Sequence, residues 1–185
     1  MGKQNRMDKQ NRYDSLFQYY GDEYNIDWRL LKCQAIQESG LDPDARSEVG
    51  ALGLMQFMPH TWNEWADGKP GIYNLPIREL RGFKHPQDPE DSICSGAAYM
   101  RWLMDRFSSK DVDIIPMALA AYNWGIGNVL RAKHDYDWEL GDISKRANCY
   151  SREKATSWIL RQAPKETQEY VQKVTASYMS THANE

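Results

Sequence analysis

The chain is expected to be all-α, with at most a small hairpin in residues 68–85. Apolar residues recur at helical spacing in several stretches, and residues that start and stop helices bracket those stretches. No period-two alternation runs long enough to make a strand. No internal repeat interrupts this pattern.

Residues 1–13 are polar and Gln/Asn-rich, an arm expected to fray. Asp14 is placed to cap a short helix over Ser15–Tyr20, which Gly21 stops. Asp27 caps the next, with Trp28, Leu31, Ala35 and Ile36 as its apolar stripe and Gly40 at its C′ position. A polar loop punctuated by Gly50 and Gly53 runs on to Pro59. Thr61 opens a turn of helix to Asp67, with Trp62 and Trp65 on one face. From Gly68 to Pro89, prolines and glycines predict loop, with at most one helical turn at Ile77–Leu80.

Asp88 then reads as an N-cap. Pro89 takes the first helical position and Asp91 complements the helix dipole. Ile93, Ala97, Met100, Met104 and Phe107 form the buried stripe of this helix. A second apolar helix through Met117, Leu119, Ala120, Ala121 and Tyr122 is broken at Gly125 and Gly127. Residues 134–150 read as polar and irregular. Helices near Ser151–Arg161 and Pro164–Ser180 follow, with 181–185 as a frayed tail. Residues 14–180 are expected to form a single catalytic domain.

Of the 185 residues 41% are hydrophobic, including seven Trp and eleven Tyr, which is ample for a core. Some of these rings could serve as stacking platforms for sugars, with core packing as the alternative. A net charge of −3 weighs against a nucleic-acid partner, which requires a basic patch. The basic residues Lys3, Arg6, Lys9 and Arg12 lie in a segment with no apolar core, so no signal peptide is expected. No run approaches the roughly 20 apolar residues of a membrane helix. Cys33, Cys94 and Cys149 form no CxxC pair, and His60, His85, His134 and His182 show no metal-ligand spacing. Neither a metal nor another cofactor is expected. Cys33 and Cys94 read as buried small hydrophobes, as in a chain made in a reducing cytoplasm.

Glu38 is the candidate for chemistry. It stands in the last turn of the Asp27 helix, where the macrodipole disfavours a carboxylate, and apolar surroundings push the same way. A carboxyl kept protonated near neutrality suits a general acid. The alternative is a solvated Glu that happens to end a helix.

Four blocks around Glu38 resemble one family. They are Glu38-Ser39 through Ala45-Arg46-Ser47, Gly50-Ala51, Gly53-Leu54-Met55-Gln56, Met58-Pro59 and Thr61; Asp88-Pro89 through Ile93 and Gly96 to Tyr99; Ala118 to Asn123 with Gly125 and Gly127; and Glu166 to Val171. In this order, within residues 27–175, they are similar to the soluble, goose-lysozyme-like lytic transglycosylases of bacterial walls, phage virions and secretion systems. The resemblance implies a lysozyme-like α domain acting on peptidoglycan glycan strands. It implies cleavage of the β-1,4 bond between N-acetylmuramic acid and N-acetylglucosamine. Glu38 would protonate the glycosidic oxygen and then deprotonate the C6 hydroxyl, leaving a 1,6-anhydro ring. Most glycosidases need two carboxylates, but an N-acetyl group beside the anomeric carbon can take the place of the second.

By the same resemblance, Ser47 and Gln56 hydrogen-bond the carboxyl region or the sugar N-acetyl group. Tyr122 and Asn123 face the catalytic Glu and substrate, Met58 touches substrate, and Glu166 and Tyr170 brace the cleft. Alternatives stand beside these roles: Ser47 could bond backbone in a turn, Gln56 could organise its loop, Glu166 could be an ordinary first-turn carboxylate, and Met58 could fill core with Leu54 and Met55.

Trp124 departs from the family, which usually has a small residue there, and a large ring would narrow the cleft or stack on a sugar. Ser92 stands where Asn is frequent. The connections Trp62–His85 and Leu130–Lys165 are longer than usual. A hydrolase on the same scaffold would want an Asp for its water, with Asp42, Asp44 and Asp67 as candidates. A catalytically silent wall-binding module is the remaining reading. A virion component, phage lysin or secretion-associated protein acting on the wall is the expected setting.

Overall fold

A computed structural model of the chain describes residues 10–66, 85–108, 112–140 and 151–183, with 63–66 and 139–140 as backbone. The expected helical turn at Ile77–Leu80, all but His85 of the stretch 68–85 where at most a small hairpin is expected, Asp67 and Cys149 lie outside the described residues. The all-α expectation holds: among the described residues the elements are helices, and β-pairing is limited to isolated bridges, Arg46 with Leu52 and Leu52 with Phe57. The chain divides into two compact units, Met1–Tyr99 and Met100–Glu185.

In the first unit, α1 (Asp14–Glu23) packs against α2 (Trp28–Ser39). Gly21 does not stop α1. It lies inside the helix, because a Cβ there would sit 2.8 Å from the Ile26 carbonyl oxygen and 2.9 Å from the Trp28 Cβ. The chain re-entering α2 needs that close approach, and Asn25 makes the turn in left-handed conformation, φ 52°. Phe17 and Tyr20 fill the space beneath. The Tyr20 hydroxyl donates to Glu90 Oε1 at 2.8 Å, and Tyr24 Oη pairs with Cys94 Sγ at 3.6 Å.

The cap signals of α2 are confirmed. Asp27 Oδ1 accepts from the Arg29 N–H at 3.0 Å, and Gly40 closes the helix at φ 64° with its N–H donating to the Ile36 carbonyl. Of the expected stripe Leu31 and Ala35 are buried and Trp28 is half-buried, but the face is rotated away from Ile36. It runs through Leu30, Leu31, Gln34 and Ala35, whereas Ile36 is 42% exposed. Helix α3 (Pro59–Ala66) begins at Pro59 and not at Thr61, since proline is pre-set for the first helical position. Trp62 is buried edge-on against Phe57, ring centroids 5.5 Å apart.

Helix α4 (Pro89–Arg106) starts as the sequence predicts, with Asp88 Oδ1 accepting from the Asp91 N–H at 3.0 Å. Ile93, Ala97, Met100 and Phe107 are buried as expected, while Met104 is half-buried. Cys33 and Cys94 are buried free thiols.

In the second unit, α5 (Ile114–Trp124) is surrounded by α6 (Ile126–Leu140), α7 (Arg152–Gln162) and α8 (Lys165–His182). That surround explains why Met117 to Ala121 are all buried, and why four of those five positions carry Ala or Leu. Helix α6 corrects the sequence reading, which made 134–150 irregular: the helix continues to Leu140. Its apolar stripe, Val129, Ala132 and Tyr136, is narrow and masked in sequence by Lys133, His134, Asp135 and Asp137. Helix α7 falls where the sequence places a helix, and Ser151 caps it, its Oγ accepting from the Lys154 N–H at 3.1 Å. Helix α8 follows Pro164 and buries Thr167, Tyr170, Val171 and Val174.

Candidate active site

Glu38 occupies the last turn of α2, half-exposed. Ser39 directly after it is bound on two sides. Its hydroxyl lies 2.9 Å from the Leu54 carbonyl oxygen and 3.2 Å from that of Ala35. The end of the Glu38 helix is thereby fastened to the loop of residues 45–57.

That loop is held by its own polar groups. Ser47 Oγ accepts from the Ala51 N–H at 2.9 Å, while the Ser47 N–H donates to the Ala51 carbonyl at 3.0 Å. Gln56 donates through Nε2 to the Gly53 carbonyl at 2.8 Å and to the Ala45 carbonyl at 3.3 Å. Gln56 is also left-handed, φ 49°, uncommon for a residue with a side chain, and those two bonds brace it. The described bonds of Ser47 and Gln56 therefore organise the loop, and their free capacity is the Ser47 hydroxyl proton and the Gln56 Oε1 acceptor.

The loop is also gripped from outside. The Met55 N–H donates to the buried Ser92 Oγ at 3.2 Å, so this serine accepts a backbone bond from the loop. Arg46 donates to Gln87 Oε1 at 3.2 Å. Gly53, at φ 77°, lets the backbone press against Pro86: a Cβ there would fall 1.8 Å from the Pro86 carbonyl oxygen. Leu54 and Met55 are buried core residues, and Met58 is half-buried immediately before α3, its carbonyl accepting from the Trp62 N–H.

The other expected residues lie in the second unit. Tyr122, Asn123 and Trp124 end α5, and Gly125 caps the helix at φ 91°. Tyr122 and Trp124 are half-buried; Asn123 is exposed and its Oδ1 accepts from the Thr167 hydroxyl at 2.7 Å. The Trp124 carbonyl accepts from Asn128 Nδ2 at 2.6 Å, which fixes the turn into α6. Glu166 is exposed on the first turn of α8, and Tyr170 is buried one turn further along.

Sequence reasoning missed two participants. Ser39 was visible only as a motif letter, and Thr167 only as a neighbour of Glu166; their bonds join residues 15 and 44 positions apart. Asp42, a candidate for holding water, directs Oδ1 to the Asp44 N–H at 3.0 Å, and both side chains are exposed. Among the described residues no three His, Cys, Asp or Glu side chains gather as a metal site, and no helix is long and apolar enough to cross a membrane.

A helix-terminal glutamate fastened to a braced, glycine-punctuated loop, in an all-α scaffold, defines a lysozyme-like class of domain. The chain belongs to the transglycosylase SLT domain family, whose pattern matches residues 15–144. It is 39% identical over 124 residues to the membrane-bound lytic murein transglycosylase F of Maricaulis maris, an alignment covering 66% of this chain and 24% of that protein. The protein of the same description from Shewanella woodyi is 36% identical over 124 residues, 66% of this chain and 22% of its own. This chain thus spans about a quarter of the length of these relatives.

Solved structures agree in fold. The 70 kDa soluble lytic transglycosylase of Escherichia coli superposes with a TM-score of 0.63 at 27% identity, over 90% of this chain and 23% of that one. An inactive mutant of the lytic transglycosylase Slt from Pseudomonas aeruginosa gives 0.64 at 26% identity, over 91% of this chain and 23% of its own.

Proposed function

We propose that the chain is a peptidoglycan lytic transglycosylase. It cleaves the β-1,4 bond between N-acetylmuramic acid and N-acetylglucosamine and leaves a 1,6-anhydromuramoyl end. The observation that carries this reading is Glu38 at the end of α2, with Ser39 bonded to Leu54 immediately beyond it. Membership of the family, and relatives described as lytic murein transglycosylases, support the same chemistry.

Glu38 donates its proton to the glycosidic oxygen as the bond breaks. The resulting carboxylate then takes the proton of the C6 hydroxyl as that oxygen closes on the anomeric carbon. The sugar's own N-acetyl group stabilises the positive charge between the two events. Ser47 and Gln56 offer a hydroxyl proton and an amide oxygen toward the substrate. Met58, Tyr122, Asn123 and Trp124 contribute further contacts, Trp124 as a stacking face, and Glu166 and Tyr170 are supports. Asp42, engaged in its own exposed turn, is poorly placed to hold a hydrolytic water, which favours the lyase over the hydrolase.

The test is digestion of purified peptidoglycan sacculi with mass measurement of the released muropeptides. Products lighter by one water than hydrolysed glycan are expected, and reducing ends in their place would make the protein a muramidase. Glu38→Gln keeps the shape and deletes the titrating proton; a folded variant is expected to lose at least about a thousandfold in rate. The finer setting we propose is a virion or secretion-associated enzyme acting on the cell wall. Its test is whether the chain co-purifies with such particles.

A further inference from the structure

Asn123 and Thr167 form a pair with an unequal division of exposure. Thr167 is 2% exposed, in the first turn of α8, whereas Asn123 is exposed at the end of α5. They meet through one hydrogen bond of 2.7 Å, Thr167 Oγ1 donating to Asn123 Oδ1. A buried hydroxyl needs a partner for its proton. The Asn123 amide oxygen is the acceptor Thr167 reaches.

This bond has a chemical consequence. A carboxamide has one end that only accepts and one that only donates. With its oxygen turned inward to Thr167, Asn123 presents its NH2 group outward. An amide without such an anchor offers either end. We propose that Thr167 is a positioning residue for substrate binding. It locks the Asn123 amide so that Nδ2 donates to an oxygen of the glycan that can only accept, such as an acetamido carbonyl or an ether oxygen. The proposal rests on the reading above that Asn123 contacts glycan. Thr167 touches no substrate itself and acts through the orientation it imposes.

The pair also joins α5 to α8, and a purely structural bond would have the same geometry. The two roles differ in what they change. A structural bond alters thermal stability and leaves the apparent KM untouched in a folded variant. A positioning bond alters KM and leaves kcat nearly unchanged, because the proton transfers at Glu38 do not involve it.

The experiment measures kcat and apparent KM on soluble, uncrosslinked glycan chains for Thr167→Val, Thr167→Ser, Asn123→Ala and Asn123→Asp. Folding of each variant is verified by circular dichroism. Thr167→Val keeps the shape and removes the donor; a five- to tenfold rise in KM with kcat within about twofold is expected, and Thr167→Ser is expected to restore binding. Asn123→Asp keeps an oxygen for Thr167 and replaces the outward NH2 with a second oxygen, so its KM is expected to rise at least as much as that of Asn123→Ala. Wild-type KM in Thr167→Val, beside a raised KM in Asn123→Ala, would overturn the positioning role and leave the contact standing. Wild-type KM in Asn123→Ala would remove Asn123 from the substrate and the proposal with it. Wild-type binding by Asn123→Asp would overturn the outward donor, and that result is readable even where Thr167→Val fails to fold.

Discussion

The Ser39 hydroxyl lies 2.9 Å from the Leu54 carbonyl oxygen, so the residue after Glu38 ties the helix end to the loop that carries Met55 and Gln56. Removing that hydroxyl loosens the end of α2 without touching the carboxyl. One such hydrogen bond contributes about 1 kcal/mol to stability. Ser39→Ala is expected to lose about that much in urea denaturation and to lower kcat several-fold through misplacement of Glu38. Ser39→Thr keeps the hydroxyl and is expected to recover most of the rate. A Ser39→Ala enzyme with unchanged kcat would separate the tether from the chemistry.

Gly53 admits no side chain. Its φ of 77° and the 1.8 Å approach of a virtual Cβ to the Pro86 carbonyl oxygen both exclude one, and that neighbour is backbone. Gly53→Ala is expected to destabilise the fold by several kcal/mol, since either the loop or the Pro86 segment must move. Thermal unfolding measures this directly; a loss within about 0.5 kcal/mol, the range of an ordinary surface substitution, would contradict the packing.

Gln34 is fully buried, one turn before Glu38 on α2, and neither its Nε2 nor its Oε1 has a hydrogen-bond partner among the described residues. A buried amide left unsatisfied costs about 1–3 kcal/mol. Gln34→Met, similar in shape and apolar, is expected to raise the urea midpoint with an unchanged slope. A fall in stability would mean that the amide is satisfied within the fold.

The Tyr24 hydroxyl is pushed far above its ordinary pKa, mainly by burial and further by the adjacent Cys94 thiol. A raised folded-state pKa stabilises below the unfolded value of about 10, and that contribution is lost as pH rises beyond it. The unfolded chain then releases a proton that the folded chain retains. Tyr24→Phe is expected to flatten the loss of stability above pH of about 10, measured as urea midpoints at neutral and alkaline pH. Parallel declines in the two proteins would assign the alkaline loss to other groups.

What the sequence made legible was local. Asp27 with Gly40, and Asp88 with Pro89, act on backbone within one turn, so residue type and position predict them. Gly21 misled because its reason is a distant neighbour: it makes room for Ile26 and Trp28 and does not end a helix. Helix α6 was hidden because only Val129, Ala132 and Tyr136 mark its inner face amid charged residues. In the candidate site, the place of Glu38 in the last turn of a helix was legible from Asp27 and Gly40, and its suggested role came from the resemblance of the surrounding blocks. The bonds of Ser39 with Leu54 and of Thr167 with Asn123 were not legible, because they join chain segments whose proximity only folding creates.

The contacts at Phe57 and Gly53 tie the loop after Glu38 to chain on both sides of the next connection. Trp62 packs edge-on against Phe57 on one side of the α3–α4 connection, and Pro86 abuts Gly53 on the other, so both flanks are held to the same short loop. A change that shifts this loop is therefore expected to carry Trp62 and Pro86 with it, two positions 24 residues apart in the chain.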